Sequence, residues 1–231
     1  MEWNFNKEYQ NWNGEITNEN EKLKVAQKIA MLVKDGDTIG FGSGSTSFLA
    51  IKEIGKRAKS ENLNILAIPT SYEVKLLCSS LGIPTASIME KKPDWSFDGA
   101  DEVDQNGWII KGRGAAMFKE KLNIASSEKV YLLVDSTKIV NKLGENFKIP
   151  VECYPESVNY VKNELYKLGA TSCNLRSAKG KDGPVITENN NFVIDVKFDN
   201  IKENLEKELK QITGVIETGL FIGYNNIEIL K

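Results

Sequence analysis

A short apolar strand and a glycine-rich loop adjoin in the stretch Thr38-Ile39-Gly40-Phe41-Gly42-Ser43-Gly44-Ser45-Thr46-Ser47. Helical periodicity precedes this stretch over residues 21–34 and follows it to about residue 59. Small residues let such a loop curl until several backbone N–H groups converge, and the start of the next helix adds partial positive charge. Ser43, Gly44, Ser45 and Thr46 are therefore candidates for binding an anionic group.

Two other interpretations of this loop are open. It resembles a dinucleotide site, but the third glycine of that fingerprint falls at Ser45, and the loop also lacks the lysine of a P-loop. It also resembles an ordinary strand–helix turn capped by Ser45 or Thr46. A monophosphate is favoured over a nucleotide.

Outward from this loop, predicted strands alternate with predicted helices as far as about residue 145. This alternation predicts a mostly parallel sheet covered by helices on both faces. After that point the order becomes strand, helix, two strands and helix, which predicts a small α+β domain over 146–213. The main domain is then 1–145, completed by 214–231.

The composition excludes several classes of protein. The 231 residues carry a net charge of −2 and no histidine, which excludes a Ser–His–Asp hydrolase and disfavours zinc and nucleic acid. A polar start and the lack of a long apolar run predict neither a secretory signal nor a membrane span. Cys78, Cys153 and Cys173 form no close pair, so we expect reduced thiols and a cytoplasmic location.

Four carboxylates follow the predicted strand at Phe97, and two of them, Asp98 and Asp101, flank the small residues Gly99 and Ala100. Acids at the carboxyl end of a parallel strand lie where such sheets bind ligands. The alternatives are a solvated acidic turn and a Ca²⁺ loop. Calcium is disfavoured because the EF-hand spacing is missing.

Lys111, Gly112, Arg113 and Gly114 form a second glycine-containing turn, and a predicted helix follows it. A lysine before such a turn can stabilise an oxyanion, and Glu120 beyond it can reach the same ligand as a base. The alternative for Glu120 is a charged, solvated helix face.

Taken in order, these motifs resemble the type A ribose-5-phosphate isomerase family. The motifs that carry the resemblance are residues 40–47, Pro69-Thr70-Ser71, Asp98 to Glu102, Lys111 to Lys121 and Asp135-Ser136-Thr137-Lys138. The resemblance covers the chain from about residue 21 and implies a Rossmann-like main domain with a smaller, ferredoxin-like α+β domain. It also implies a homodimer or homotetramer without cofactor or metal, acting on a pentose phosphate in the non-oxidative pentose phosphate pathway.

The resemblance assigns a role to each candidate residue. Glu120 would be the base, and Lys111 with the following turn would face the C1–C2 end of the sugar. Asp98 and Asp101 would bind sugar hydroxyls and assist ring opening, while Lys138 and the 43–46 loop would hold the phosphate. Arg113 stands where the family most often has glycine, although its backbone N–H could still serve.

The predicted activity is interconversion of ribose 5-phosphate and ribulose 5-phosphate through an enediolate. A non-catalytic sugar-phosphate sensor remains an alternative, although no basic DNA-binding helix pair precedes the domain. A nucleotide-dependent oxidoreductase is a second alternative, and the incomplete glycine fingerprint disfavours it.

Overall fold

The structure is a computed structural model that describes residues 9–231. Over this part of the chain six α-helices form, namely α1 (Glu19–Ala30), α2 (Ser45–Glu61), α3 (Tyr72–Leu81), α4 (Met117–Ser126), α5 (Val158–Lys167) and α6 (Leu205–Lys210). The same residues form the strands β1 (Thr38–Phe41), β2 (Leu66–Pro69), β3 (Trp95–Gly99), β4 (Glu102–Val103), β5 (Ile109–Ile110), β6 (Lys129–Leu133), β7 (Ile149–Cys153), β8 (Ser172–Leu175), β9 (Phe192–Lys197), β10 (Val215–Thr218), β11 (Leu220–Phe221) and β12 (Ile227–Leu230). None of the described helices is long and apolar enough to cross a bilayer.

Contacts divide the chain into two compact units. The first unit contains the described residues up to Gly99 together with Lys119–Thr137 and Asn225–Lys231. The second unit contains Ala100–Phe118 and Lys138–Tyr224. The division predicted from the sequence, at residue 145, stays a prediction.

The first unit is built on a five-stranded parallel sheet with the order β12-β6-β3-β1-β2. Its strands are apolar because helices cover them, and Ile39 and Phe41 of β1 are fully buried. The Phe41 ring lies 5.0 Å from the ring of Phe97 on β3. Helix α1 packs along α2 and adds Ala26 and Ile29 to the same core.

The strand order reverses at β1. On one side β1 pairs with β2, the next strand in the chain, and on the other side it pairs with β3. A reversal of this kind leaves a crevice outside the carboxyl ends of the two central strands, which is where doubly wound sheets bind their ligands. The loops after β1 and β3 are therefore the expected ligand-binding segments of this unit.

The second unit contains two antiparallel sheets. One has the order β10-β7-β9-β8 and follows the chain order strand, helix, strand, strand, helix, strand, which is the ferredoxin-like arrangement. Val151, Val161 and Ile194 are fully buried in its core. The other sheet, β11-β5-β4, is smaller. The predicted fold class, a parallel α/β sheet with a smaller α+β part, is confirmed.

Two details differ from what the sequence suggested. Asn200 followed by Glu203 predicts a helix from residue 201, yet α6 begins at Leu205, and Ile201 packs against the core ahead of it. The sequence predicts that segment 214–231 completes the main domain, yet of its strands only β12 joins the parallel sheet, whereas β10 pairs with β7.

Candidate active site

The loop after β1 leads into helix α2, whose N-cap residue is a glycine. Gly44 is the N-cap residue of α2 with φ of +92°, a conformation that side-chain-bearing residues rarely adopt, and it has no side chain with which to cap the first turn. A turn capped by Ser45 or Thr46 is therefore not what forms. The first backbone N–H groups of α2 instead give the carboxyl end of β1 the partial positive charge that favours anions.

Hydroxyl groups fix the shape of this loop. Ser43 Oγ lies 2.7 Å from Thr70 Oγ1 and donates to Ser71 Oγ at 3.0 Å. Thr70 Oγ1 in turn donates to the carbonyl of Phe41 at 3.1 Å. The motif at residues 69–71, which follows the neighbouring strand β2, thus holds the glycine-rich loop in place.

A buried lysine lies beside the same loop. Lys22 Nζ of α1 donates to Ser45 Oγ at 3.2 Å and lies 3.8 Å from Asp135 Oδ2, and the two charged side chains are 4% and 0% exposed. Lys22 is not among the candidates predicted from the sequence. The signal for it was present, because Lys22 lies four residues before Ala26 on the apolar face of α1.

The carboxylate of Asp135 is held by several donors. Its Oδ1 accepts from the Thr137 N–H at 3.0 Å, from the Thr137 hydroxyl and from Asn18 Nδ2 at 3.3 Å. Burial acts to raise the pKa of Asp135, but these hydrogen bonds and the charge of Lys22 outweigh it and lower the pKa. Asp135 therefore keeps its charge and stabilises a nearby cation.

Asp98, at the end of β3, lies directly against the loop after β1. It is 2% exposed, and its Oδ1 accepts the N–H of Gly99 at 2.7 Å. A Cβ atom at Gly42 would lie 2.3 Å from Asp98 Cγ and 2.6 Å from Asp98 Cα. Only glycine fits at position 42, since the aspartate occupies the space of a side chain.

Glu120 and Lys121 lie near the start of α4 and are buried. Glu120 is 5% exposed and Lys121 is 7% exposed. The alternative of a solvated charged helix face therefore does not hold for either residue. Glu120 lies in the first unit together with Asp98 and the loop at 43–46.

The remaining candidates lie in the second unit, and the structure brings Asp101 together with the glycine turn. Lys111 is 3% exposed, and its N–H donates to the carbonyl of Gly219 at 2.9 Å. Arg113 is exposed, and its N–H donates to Asp101 Oδ2 at 3.0 Å. Ala100, Gly112, Gly114 and Lys138 are the other predicted residues of this unit, and Lys138 Nζ lies 5.4 Å from the centre of the Phe147 ring.

Two carboxylates of the acidic turn have structural partners. Glu102 is fully buried and accepts the backbone N–H groups of Gly144 at 2.6 Å, Asn146 at 2.5 Å and Phe147 at 2.9 Å. Asp104 accepts the N–H of Trp108 at 2.9 Å within its own hairpin. The acidic turn therefore separates into Asp98 and Asp101, which remain site candidates, and two residues that hold the fold.

The described part of the chain, residues 9–231, contains potential metal ligands and three thiols. Within residues 9–231, His, Cys, Asp and Glu form no group of three or more that could hold a metal ion. Cys78, Cys153 and Cys173 are free and buried. Burial raises the pKa of the Cys78 thiol to about 12 and that of Cys153 to about 11.

These features define the class of protein. The parallel sheet, whose strand order reverses at β1, is typical of a doubly wound α/β protein. At the reversal lie the start of helix α2, a buried lysine and an aspartate, so the loop after β1 is suited to bind an anion. The profile of the ribose 5-phosphate isomerase A (phosphoriboisomerase A) family matches residues 66–230.

Individual relatives agree with that match. The chain is 44% identical over 209 residues to ribose-5-phosphate isomerase A of Methanocaldococcus jannaschii, covering 89% of this chain and 92% of the relative. It is 45% identical over 206 residues to the Prochlorococcus marinus protein of the same name, covering 87% and 86%.

Solved structures show the same similarity. The M. jannaschii ribose 5-phosphate isomerase A structure has a TM-score of 0.89 at 40% identity, covering 93% of this chain and 96% of that one. A D-ribose-5-phosphate isomerase in complex with phospho-erythronic acid has a TM-score of 0.88 at 38% identity, covering 93% and 95%. The chain belongs to the ribose-5-phosphate isomerase A family and is an isomerase.

Proposed function

We propose that this protein interconverts D-ribose 5-phosphate and D-ribulose 5-phosphate through an enediolate, with Glu120 as the general base. The observation that carries the proposal is a buried glutamate in the same unit as an anion-ready loop and an aspartate at the reversal of the sheet. The phospho-erythronic acid bound by a relative is a phosphorylated sugar acid, which fits a substrate of this class.

The phosphate group is assigned to the loop after β1. The first N–H groups of α2 and the hydroxyl of Ser45 supply donors, and Lys22 supplies a buried positive charge beside that hydroxyl. Asp135 keeps Lys22 oriented through their ion pair. The family resemblance adds Lys138 to the phosphate-binding groups.

The reaction moves one proton between two carbons. Glu120 takes the proton from C2 of the open-chain aldose, the C–H electron pair forms the C1–C2 double bond, and the carbonyl electrons move to O1. A proton then passes from O2 to O1, C1 takes the proton back from Glu120, and a carbonyl forms at C2. In a chain without histidine, a carboxylate at this place is the natural group to accept and return the proton.

Three further residues assist the reaction. Lys111 stabilises the charge that develops on the oxygen atoms, as its place before the glycine turn suggests. Asp98 and Asp101 bind sugar hydroxyls and assist ring opening. These roles rest on the resemblance of the motifs, together with the burial of Lys111 and Asp98.

The experiment is turnover of ribose 5-phosphate in D₂O, followed by proton NMR after dialysis against a strong chelator. We expect ribulose 5-phosphate to form without added metal and to carry deuterium at C1, because a carboxylate exchanges its proton with solvent. Binding without turnover would favour the sugar-phosphate sensor. No deuterium incorporation even after many forward and reverse turnovers at equilibrium would instead indicate a hydride shift and would remove the base from the mechanism.

A homodimer or homotetramer and a cytoplasmic location stay predictions.

A further inference from the structure

One arginine of the second unit contacts the glycine turn directly. Arg176 follows β8, and its Nη1 donates to the carbonyl of Gly112 at 2.9 Å and to the carbonyl of Arg113 at 3.0 Å. Its Nε donates to Asp195 Oδ2 of β9 at 2.9 Å, and its Nη2 pairs with the other oxygen of Asp195. One planar guanidinium thus joins two successive carbonyls of the turn to an anchored carboxylate.

The backbone of Arg176 is also fixed by hydrogen bonds. The Arg176 N–H donates to the carbonyl of Val193 at 2.8 Å, and the Arg176 carbonyl accepts from the Val185 N–H at 2.8 Å. The Arg176 and Asp195 side chains are 16% and 24% exposed, so this ion pair is largely shielded from water. The position of the guanidinium relative to the glycine turn is therefore fixed.

Because peptide groups are planar, these contacts also fix the directions of the next two backbone N–H groups. In a trans peptide the carbonyl of one residue points opposite to the N–H of the next, and the described chain contains no cis peptide. Because Arg176 holds the carbonyls of Gly112 and Arg113, the N–H groups of Arg113 and Gly114 face away from Arg176. The 3.0 Å hydrogen bond from the Arg113 N–H to Asp101 Oδ2 agrees with this direction.

Two successive N–H groups that face one way form a small anion-binding concavity. A carboxylate oxygen of Asp101 already lies at one of them. Such preorganised donors stabilise an oxyanion strongly, because they need no rearrangement when charge develops.

We propose that Arg176 is a positioning residue for isomerisation, which holds the N–H group of Gly114 toward the oxyanion of the enediolate, while the N–H of Arg113 holds Asp101 beside it. The proposal rests on the proposed function, since it needs the glycine turn to face the reacting carbons. Arg176 itself does not touch the substrate in this account. Its effect passes through the two carbonyls that it binds.

The chain offers a closely matched control. Arg57 Nη1 donates to two backbone carbonyls, those of Ala30 at 2.7 Å and Val33 at 2.9 Å, while its Nε donates to Glu61 at 2.9 Å. Arg57 therefore makes the same set of hydrogen bonds as Arg176, but it binds the end of α1 rather than the glycine turn. Comparing Arg176→Ala with Arg57→Ala separates positioning from general support of the fold.

The test measures ribose 5-phosphate kinetics and calorimetric binding of phospho-erythronic acid for wild type and both variants. For Arg176→Ala we expect kcat to fall about 10²-fold, the loss typical for one oxyanion donor, with KM within about threefold. Phospho-erythronic acid carries a carboxylate in place of the reacting carbonyl, so its affinity should fall with kcat. Arg57→Ala should keep kcat within about twofold.

A further variant guards against a folding defect. Arg176→Lys keeps the charge but lacks the planar fork, so we expect it to fold and still to lose most of the kcat. Guanidinium chloride at low, non-denaturing concentration should restore part of the kcat of Arg176→Ala and none of it for Arg57→Ala.

The outcomes separate the two proposals. Wild-type kcat in folded Arg176→Ala or Arg176→Lys, or an equal loss in Arg57→Ala, would overturn the positioning role and leave the isomerase intact. Wild-type protein that neither converts ribose 5-phosphate nor binds phospho-erythronic acid would instead overturn the proposed function.

Discussion

Gly42→Ala tests the contact between β1 and β3 on which the site depends. The added Cβ would lie 2.3 Å from Asp98 Cγ and 2.6 Å from Asp98 Cα, whereas ordinary contacts begin at 3.4 Å. Asp98 must therefore recede by about 1 Å. A side-chain rotation cannot achieve this, because the backbone atom is also too close, so β3 itself has to move.

Two effects of the substitution can be estimated. Overpacking of this kind costs about 1–3 kcal/mol of unfolding free energy. A misplacement of about 1 Å at a reacting group costs about 10²-fold in activity. We expect both losses in Gly42→Ala, measured by urea unfolding and by turnover of ribose 5-phosphate.

Gly40→Ala is the matched control on the same strand. Its Cβ would lie 2.6 Å from Ser96 Cβ and 3.1 Å from Asn123 Nδ2. The substitution therefore strains the same pair of strands, but at Ser96, two residues before Asp98. We expect a similar loss of stability with less than about a tenfold loss of activity. If Gly42→Ala unfolds and turns over like wild type, the close approach of Asp98 to the loop is refuted.

Three further predictions concern groups outside the reacting centre. Glu102→Gln should cost about 1–3 kcal/mol of unfolding free energy, measured by urea titration, because an amide NH₂ replaces one of the two buried carboxylate oxygens and faces an N–H group that then lacks an acceptor; a loss under about 0.5 kcal/mol would contradict this. Cys78 and Cys153 should resist a thiol reagent at pH 8 until the protein unfolds, since burial raises the pKa values of both thiols to about 12 and about 11; rapid labelling of native protein would contradict it. The lowered pKa of Asp135 means that its charge stabilises the fold above the usual aspartate pKa and that this contribution is lost as pH falls through the lowered pKa. Asp135→Asn should therefore be less stable than wild type near pH 7, and the difference should shrink below about pH 4; a difference that stays constant with pH would exclude this role.

Local signals in the sequence were enough to predict the parallel sheet and its loop. Apolar strands of four or five residues, helical periodicity and the glycines around Ser43 each act within a few neighbouring residues. The burial of Glu120 was not predictable in this way, because an isolated glutamate in an amphipathic helix is usually exposed. The family resemblance, and not the helical pattern, singled it out.

Contacts between distant segments explain what the sequence left open. Glu102 looked like one of four equivalent acids, yet its partners come from residues 144–147, more than forty positions later. Arg176 reaches the glycine turn across a separation of 63 residues from Arg113. No local pattern records such pairs, since they depend on how distant segments of the second unit fold together.

The central claim is that Glu120 is the base, and the most direct test is the kcat of Glu120→Gln for ribose 5-phosphate. The amide keeps the volume of the side chain but cannot take a proton, so we expect kcat to fall by about 10²–10⁴-fold. The affinity for phospho-erythronic acid should stay within a few-fold, and Glu128→Gln, at a side chain that is 83% exposed, should behave like wild type. A folded Glu120→Gln protein with wild-type kcat would contradict the account.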